Sequence, residues 1–402
     1  MQGVRVLEVA DYVFVPAAGA VLSNWGADVI KVEHHEQGDL MRGLWTFHPA
    51  GGEPRAVNPV MESANRGKRS IGINLGSPDG LELLYELVRT ADVFLTSKLV
   101  ETRRKLRIDV DDIRSQNPNI IYVRGTGHGV RGPEAAKGGF DSLSFWYRSG
   151  IGRAAQAPEL SYVPNMPAPA FGDLTGAMNI AGGISAALFH RERTGEASTV
   201  EVSLLGSGMW SLSGGVSLSA MYDVPALQRE SRVIINPLIR NYRTKDDRWI
   251  AICCLQASRY WPDLCRALGR ADLAADERFS TAEGLQTHAG EVVKLLEEEF
   301  ASRTETDWHA KLDDFQGQWA PVQDPLSVVS DRQAAANGYT MPTKSSDGSE
   351  DLLVVQPPVQ FNEQPVSTAP APGFNEHGDE ILAELGYDPD RILDLKLNSA
   401  IT

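Results

Sequence analysis

The hydrophobic pattern opens with "VRVLEVA" (4–10), a β-rich run, then "AAGAVLSNWGA" (17–27), a small-residue helix ending near Gly26. "DVIKVE" (28–33) follows as a second strand and completes a β-α-β unit. In "SPDGLELLYELVRTA", Ser77 stands as N-cap and Pro78 at the first helical position, with Leu81, Leu84, Leu87 and Val88 on one face. "DVFLTS" (92–97) reads as a strand, "DVDDIRSQNP" (109–118) as a short helix and "NIIYVRGTG" (119–127) as another strand. Such alternation predicts an α/β fold: a mostly parallel sheet with helices on both sides. From Leu174 to His190 the residues are apolar or small nearly all round, predicting a helix buried among close neighbours. "STVEVSLL" (198–205) returns to strand.

The texture changes near residue 225. "NYRTKDDRWIAICCL" reads as a hairpin turning at Asp246-Asp247, and helices with charged faces follow, such as "GEVVKLLEEEFASR". This predicts a first part over 1–224, a smaller α+β domain over 225–330 and a C-terminal segment over 331–402. The last contains a Pro-rich extended tether (355–373) and an amphipathic helix, "DEILAELG" (379–386).

A length of 402 residues suggests more than one core. The formal net charge of −15 argues against a nucleic-acid partner but permits a local basic pocket. No stretch reaches the ~20 apolar residues of a membrane span, and Glu8 and Asp11 interrupt the first apolar run, against a signal peptide. Cys253, Cys254 and Cys265 fit no zinc pattern and read as buried, reduced thiols of a cytoplasmic protein. No metal site is expected.

Three features bear on chemistry. Glu33 sits where a ribose-binding acid would, yet the turn after the first strand, "ADYVFVPAAGA", lacks the glycines that let backbone approach a pyrophosphate. Basic residues recur in two groups, Lys31, Arg42, Arg66, Lys68 and Arg69, then Lys98, Arg103, Arg104, Lys105 and Arg107. They suit either a multiply phosphorylated ligand or a solvated helix face. Asp173 precedes the small-residue helix, a position that suits either an N-cap or a catalytic carboxylate. The helix dipole there also holds a carboxylate ionised, as a covalent nucleophile requires.

The chain resembles the class III CoA-transferases, the family that includes formyl-CoA transferase, carnitine CoA-transferase and alpha-methylacyl-CoA racemase. The matching segments are "GVRVLEVADYVFVP", "GADVIKVEHHEQGD", "NRGKRSIGINL", "NIIYVRGTGHGVRGP", "FGDLTG", "YRTKDDRWIAI", "DERFST" and "NEHGDEILAELGYD", in family order across nearly the whole chain. The resemblance implies a large Rossmann-like domain completed by the C-terminal segment, a small domain between, and an interlocked homodimer. It implies that Asp173, in the Gly172-Asp173 pair, is the catalytic nucleophile. Implied CoA contacts are Tyr12 and Val13 after the first strand, His34 after the second, and Ile73, Asn74 and Leu75 after "KRS". Ser97, Lys98 and Lys105 follow the "ADV" strand. Lys105 stands where many members carry arginine and so lacks the guanidinium fork, and "ICCLQASRYW" lacks the glycine-rich flap of some members.

Racemases of the family carry histidine in a Gly-His-Asp segment; here "GGFDSL" puts Phe140 there, followed by Asp141, the acidic neighbour seen in the transferases, and the resemblance places both among the CoA-binding residues. Phenylalanine accepts no proton, so two-base racemisation loses a base. The implied reaction moves CoA from an acyl-CoA donor to a free carboxylic acid through aspartyl anhydride and aspartyl-CoA thioester intermediates, with no permanently bound cofactor. The rivals are an alpha-methylacyl-CoA racemase with another base, a nicotinamide oxidoreductase, and a non-catalytic acyl-CoA-binding module.

Overall fold

The computed structural model describes residues 1–44, 57–225, 235–366 and 369–402. Six parallel strands form the main sheet: β1 (Arg5–Val9), β2 (Asp28–His34), β3 (Arg69–Ile73), β4 (Val93–Thr96), β5 (Ile121–Thr126) and β6 (Thr199–Ser203). Their order is β3-β2-β1-β4-β5-β6, with Val6 opposite both Val29 and Val93. Successive side chains on a strand face opposite ways. Val6 and Val29 accordingly join one core with Phe14, Val15 and Ile180, while Leu7 and Ile30 join another with Phe94, Leu84 and Leu87. The Pro78–Thr90 helix begins as its sequence dictates, with the Ser77 hydroxyl accepting the Gly80 N–H at 3.0 Å.

The helix across the first core runs Phe171–Thr194, between Ala170 (φ 58°) and Gly195 (φ 76°). Its buried stripe is Gly172, Gly176, Ala177, Ile180, Ala181, Ile184 and Ala187, against the Phe14–Asn24 helix. Small residues are required: a Cβ on Gly172 would come within 2.5 Å of the Phe145 ring, and one on Gly176 would overlap Phe14. Burial all round, as the composition predicts, is not what a single chain shows. Leu174, Gly182, Ala186 and Phe189 face outward.

The chain divides into two compact units, one of 1–227 with 336–402 and one of 228–335. The smaller holds the antiparallel strands β7 (Ile239–Arg243), β8 (Trp249–Cys253) and β9 (Trp319–Pro321), with Asp247 in the left-handed turn between the first two (φ 65°). Trp261, Phe279, Phe300 and Trp308 fill its core. All three cysteines are free, but only Cys254 and Cys265 are buried; Cys253 is exposed because alternate residues of β8 face solvent. Back in the larger unit, β10 (Thr340–Lys344) and β11 (Asp351–Val355) pair as a hairpin. Two final helices set Ile381, Leu382, Ile392 and Leu395 into the second core. Residues 367–368 of the Pro-rich stretch lie outside the described residues. Among the described residues no helix is long and apolar enough to cross a membrane.

Candidate active site

Parallel strands bring their C-terminal ends to one edge of the sheet, and β1 beside β4 is where the strand order reverses. Ligands of open α/β sheets bind at such a switch point. The loop leaving β1 is held there atom by atom. The Ala10 carbonyl accepts from Lys31 Nζ (3.0 Å), Asp11 N–H donates to Ser97 Oγ (3.3 Å), and the Asp11 carboxylate pairs with Lys98. Tyr12 N–H donates to Asp39 Oδ1 (3.1 Å). Tyr12 sits at φ 67°, a backbone conformation that costs a residue with a bulky side chain and persists only when neighbours enforce it. Its ring meets that of Phe140 edge-on at 5.4 Å, while Val13 is buried.

Beneath this loop lies a buried ionic cluster. Glu8 accepts from Lys31 Nζ (3.1 Å) and, through both oxygens, from Lys68 Nζ (2.8 Å each); Lys31 also pairs with Asp39 at 2.7 Å. Burial alone would depress Lys31, but Asp39, Glu8 and Glu33 outweigh it and hold the ammonium charged. Lys68 has burial as its largest influence and is pulled down despite Glu8. The first basic group of the sequence is thus consumed internally. Arg42 holds Glu33 (2.7 Å), Arg69 holds Asp28 and Glu384, and Arg66 reaches Asn24 and Ser63. Glu33, bound by Arg42 and by the Ser70 hydroxyl, has no free oxygen for a ribose.

Part of the second basic group lines a space, and Arg107 is not among its lining. A cavity of about 350 Å³ beyond β4 and β5 is bordered by Ser97, Lys98, Arg103, Arg104, Arg124 and Lys137. Lys105, at the end of the Val100–Lys105 helix, is exposed and does not line it. Lys98 is tied to Asp11, Arg103 to Asp109 (3.1 Å) and Arg124 to Glu201. Arg104 pairs with the exposed Glu101 (3.0 Å), an ion pair weakened by solvent, and Lys137 pairs with the half-buried Glu134 (2.9 Å), which Arg148 also holds. Arg104, one residue before Lys105, lines the cavity and carries a guanidinium fork. Arg124 and Lys137 were not singled out by sequence; the signal is the β4–β5 pairing, which sets Arg124 opposite Thr96.

The remaining expected contacts lie along the same edge, further out. His34 is exposed at the end of β2, its ring 4.8 Å from that of His35. Ile73 is buried and bridges Ile401. Asn74 is bound to the C-terminal tail, its N–H donating to Ala400 O (2.8 Å) and its amide to Ser399 O (3.1 Å). Leu75 packs on the second core.

Asp173 lies in the first turn of the Phe171–Thr194 helix but is not its N-cap; Ala170 holds that position, with no side-chain cap of its own. The capping acceptor comes from elsewhere in the chain: Asp141 Oδ2 takes the N–H groups of Gly172 (3.2 Å) and Asp173 (3.4 Å), and Oδ1 takes that of Ser142 (2.7 Å). The Asp173 carboxyl is therefore released from capping and sits half-buried beside a second carboxylate. Burial first, and Asp141 second, push it up to about 8. That reverses the expectation of a carboxylate kept ionised by the helix dipole; desolvation and a like charge outweigh the dipole. Asp141 is also raised, by burial, against the backbone N–H groups that favour its charge. Phe140, next in the chain, is 57% exposed. The structure thus brings Tyr12, Phe140, Asp141 and Asp173 into one connected group, with Ser97 and Lys98 joined to it through Asp11.

Among the described residues no cluster of histidine, cysteine and carboxylate side chains is arranged to hold a metal. Residues 1–378 match the model of CoA-transferase family III. The chain is 30% identical to an (R)-2-hydroxy-4-methylpentanoate CoA-transferase of Clostridioides difficile, over 98% of both proteins. It is 31% identical to a cinnamoyl-CoA:phenyllactate CoA-transferase of Clostridium sporogenes, over 99% of this chain and 96% of that one. The crystal structure of a CAIB/BAIF family protein from Brucella suis superposes with a TM-score of 0.80 at 27% identity, covering 96% of this chain and 98% of that one. A half-buried aspartate in the first turn of a helix and a basic cavity at the C-terminal edge of a parallel sheet accord with these likenesses, and the chain belongs to CoA-transferase family III, enzymes that act on acyl-CoA donors and carboxylic acids.

Proposed function

We propose that the enzyme moves CoA between carboxylic acids with Asp173 as covalent nucleophile. The observation that carries this reading is the freedom of the Asp173 carboxyl: Asp141 does the capping, which leaves Asp173 available for chemistry. An Asp173 oxygen attacks the thioester carbonyl of the donor, the C–S bond breaks, and CoA leaves as thiolate, giving a mixed anhydride. The thiolate then attacks Cγ of Asp173, releasing the donor acid as carboxylate and leaving an aspartyl-CoA thioester. The acceptor carboxylate attacks that thioester and the steps run in reverse, restoring Asp173. No proton is gained or lost over the cycle. The anhydride lies uphill, so retention of CoA near Asp173, through phosphates held by Arg104 and Lys137, supplies the effective concentration that drives it forward. Proton release from Asp173, which is raised to about 8, must precede attack.

The working form we propose is an interlocked homodimer. In support, the Ser213–Tyr222 helix buries none of its residues although it carries Val216, Leu218 and Met221. Trp210 and Met221, 74% and 73% exposed, extend that apolar surface beyond what a lone soluble chain usually presents. Light scattering is expected to give twice the chain mass of 43.8 kDa at every concentration, and a monomer would remove this part of the proposal.

The test of transfer is movement of labelled carboxylic acid onto CoA from an unlabelled acyl-CoA. Asp173→Asn is expected to abolish it while leaving the fold intact. Retained transfer by that variant would return Asp173 to a structural role. Loss of α-deuterium from a 2-methylacyl-CoA, without transfer, would favour the racemase.

A further inference from the structure

On the reading of Asp173 as nucleophile, we propose that Phe14 is a positioning residue for CoA transfer: its ring sets the spacing between the wall of the basic cavity and the helix that carries Asp173. The ring spans two bare backbones edge to edge. A Cβ on Gly125 would come within 3.0 Å of Cε1 and 3.3 Å of Cδ1, and a Cβ on Gly176 within 2.4 Å of Cε2 and 3.0 Å of Cδ2. Opposite edges of one ring therefore bear on the two glycines. Gly125 belongs to β5 and lines the cavity between Arg124 and Thr126. Gly176 stands three residues after Asp173, one turn along the same face of the helix.

The spacer is itself fixed. Phe14 opens the Phe14–Asn24 helix, is only 8% exposed and shares the first core with Val15, Phe145, Ala177 and Ile180. Just before it, Asp39 holds the Tyr12 N–H, and Ser97 and Lys98 of the cavity wall hold Asp11. A side chain that only filled the core would not call for a glycine inside a strand and another inside a helix, since each weakens its element. Gly125 makes room for Val15 as well, its Cβ position lying 2.2 Å from Cγ2, whereas at Gly176 the three nearest atoms all belong to the Phe14 ring. With CoA held at the cavity and the nucleophile on the helix, this spacing enters the distance between thioester and Asp173. A methyl group at residue 176 would have to move from 2.4 Å to an ordinary contact of 3.4 Å from the ring. A misplacement of about 1 Å costs on the order of 10² in rate where reacting groups must be held in line.

The experiment follows a single turnover without acceptor acid over a range of acyl-CoA concentrations, quenched with hydroxylamine, with the Asp173 hydroxamate counted by mass spectrometry. Acetyl-, butanoyl-, benzoyl- and succinyl-CoA serve as probes, and the one that the wild-type enzyme uses fastest is kept. Gly176→Ala is expected to lower the saturating rate by about 100-fold and Phe14→Leu by about 10-fold. Half-saturation should stay within about 2-fold of wild type in both, because the cavity cations are untouched. In Phe14→Leu/Gly176→Ala the added methyl takes space that the ring vacates, so the double variant should exceed Gly176→Ala by about 10-fold. Circular dichroism certifies the fold of each variant, and Phe14→Leu carries the comparison by itself if Gly176→Ala does not fold. A saturating rate within about 2-fold of wild type in either folded single variant would overturn the proposal and leave Phe14 as core filling. A raised half-saturation at unchanged rate, or a double variant slower than both singles, would overturn it too. A wild-type enzyme that transfers CoA yet yields no hydroxamate on Asp173 with any probe would instead overturn the nucleophile reading, and the proposal with it.

Discussion

Replacing Glu8 by glutamine leaves the shape of β1 almost unchanged but removes the one carboxylate that Lys31 and Lys68 share. All three side chains are fully buried. Lys31 keeps Asp39 at 2.7 Å, whereas Lys68 keeps only neutral acceptors, Pro16 O (2.8 Å), Asn65 Oδ1 (2.9 Å) and the new amide oxygen. Removing one partner of a buried ion pair costs up to about 3–5 kcal/mol when the other charge stays desolvated, and Lys68, already pulled down by burial, lessens that cost by releasing its proton. At about 1.4 kcal/mol per tenfold, native-state hydrogen exchange at the β1 and β2 amides should speed up by about 10²-fold, and by no more than about 4 × 10³-fold. The double variant Glu8→Gln/Lys68→Met removes the orphaned charge and should recover much of that protection. A loss below about 1 kcal/mol in Glu8→Gln, or a double variant worse than the single, would refute the claim that these charges form one compensated cluster. Because Lys31 also holds Ala10 O, and Asp39 holds Tyr12 N–H, a slower exchange reaction is expected alongside.

Asp141→Asn keeps an oxygen for the Gly172 and Asp173 N–H groups but deletes the like charge, so the acid limb of kcat/KM for acyl-CoA should move from about 8 toward lower pH; an unmoved limb would assign it to another group. Folded Asp173 binds a proton up to about 8 and the unfolded chain only up to about 4, so wild-type stability falls as pH rises between those values. Asp173→Asn should flatten that fall in a series of thermal melts; an identical slope would contradict the raised value. Arg104→Ala and Lys137→Ala should each weaken CoA binding several-fold in calorimetry, and more strongly than Lys105→Ala, which lies outside the cavity.

Periodicity made the sheet legible, because buried parallel strands need continuous β-branched runs and their helices need a single leucine face. Ser77 and the Asp246-Asp247 turn were likewise readable, since capping and left-handed turns are local chemistry. What depends on distant pairing was not. Nothing near Lys31 or Lys68 in the chain announces Glu8, and basic residues that look suited to phosphate close on one another's acids instead. Asp173 shows the same limit: an aspartate before a helical pattern reads as a cap, yet the cap is Asp141, 32 residues earlier. The outward face of the Phe171–Thr194 helix misled for a related reason, since composition records that a surface is apolar but not what covers it.

The central claim, that Asp173 carries CoA covalently, is tested most directly by trapping. The enzyme is incubated with acyl-CoA in the absence of acceptor acid, treated with hydroxylamine, digested and analysed by mass spectrometry. A hydroxamate is predicted on Asp173 itself, formed only when acyl-CoA was present and missing from Asp173→Asn. Full transfer activity with no modification at Asp173, or a hydroxamate on another carboxylate, would contradict the account.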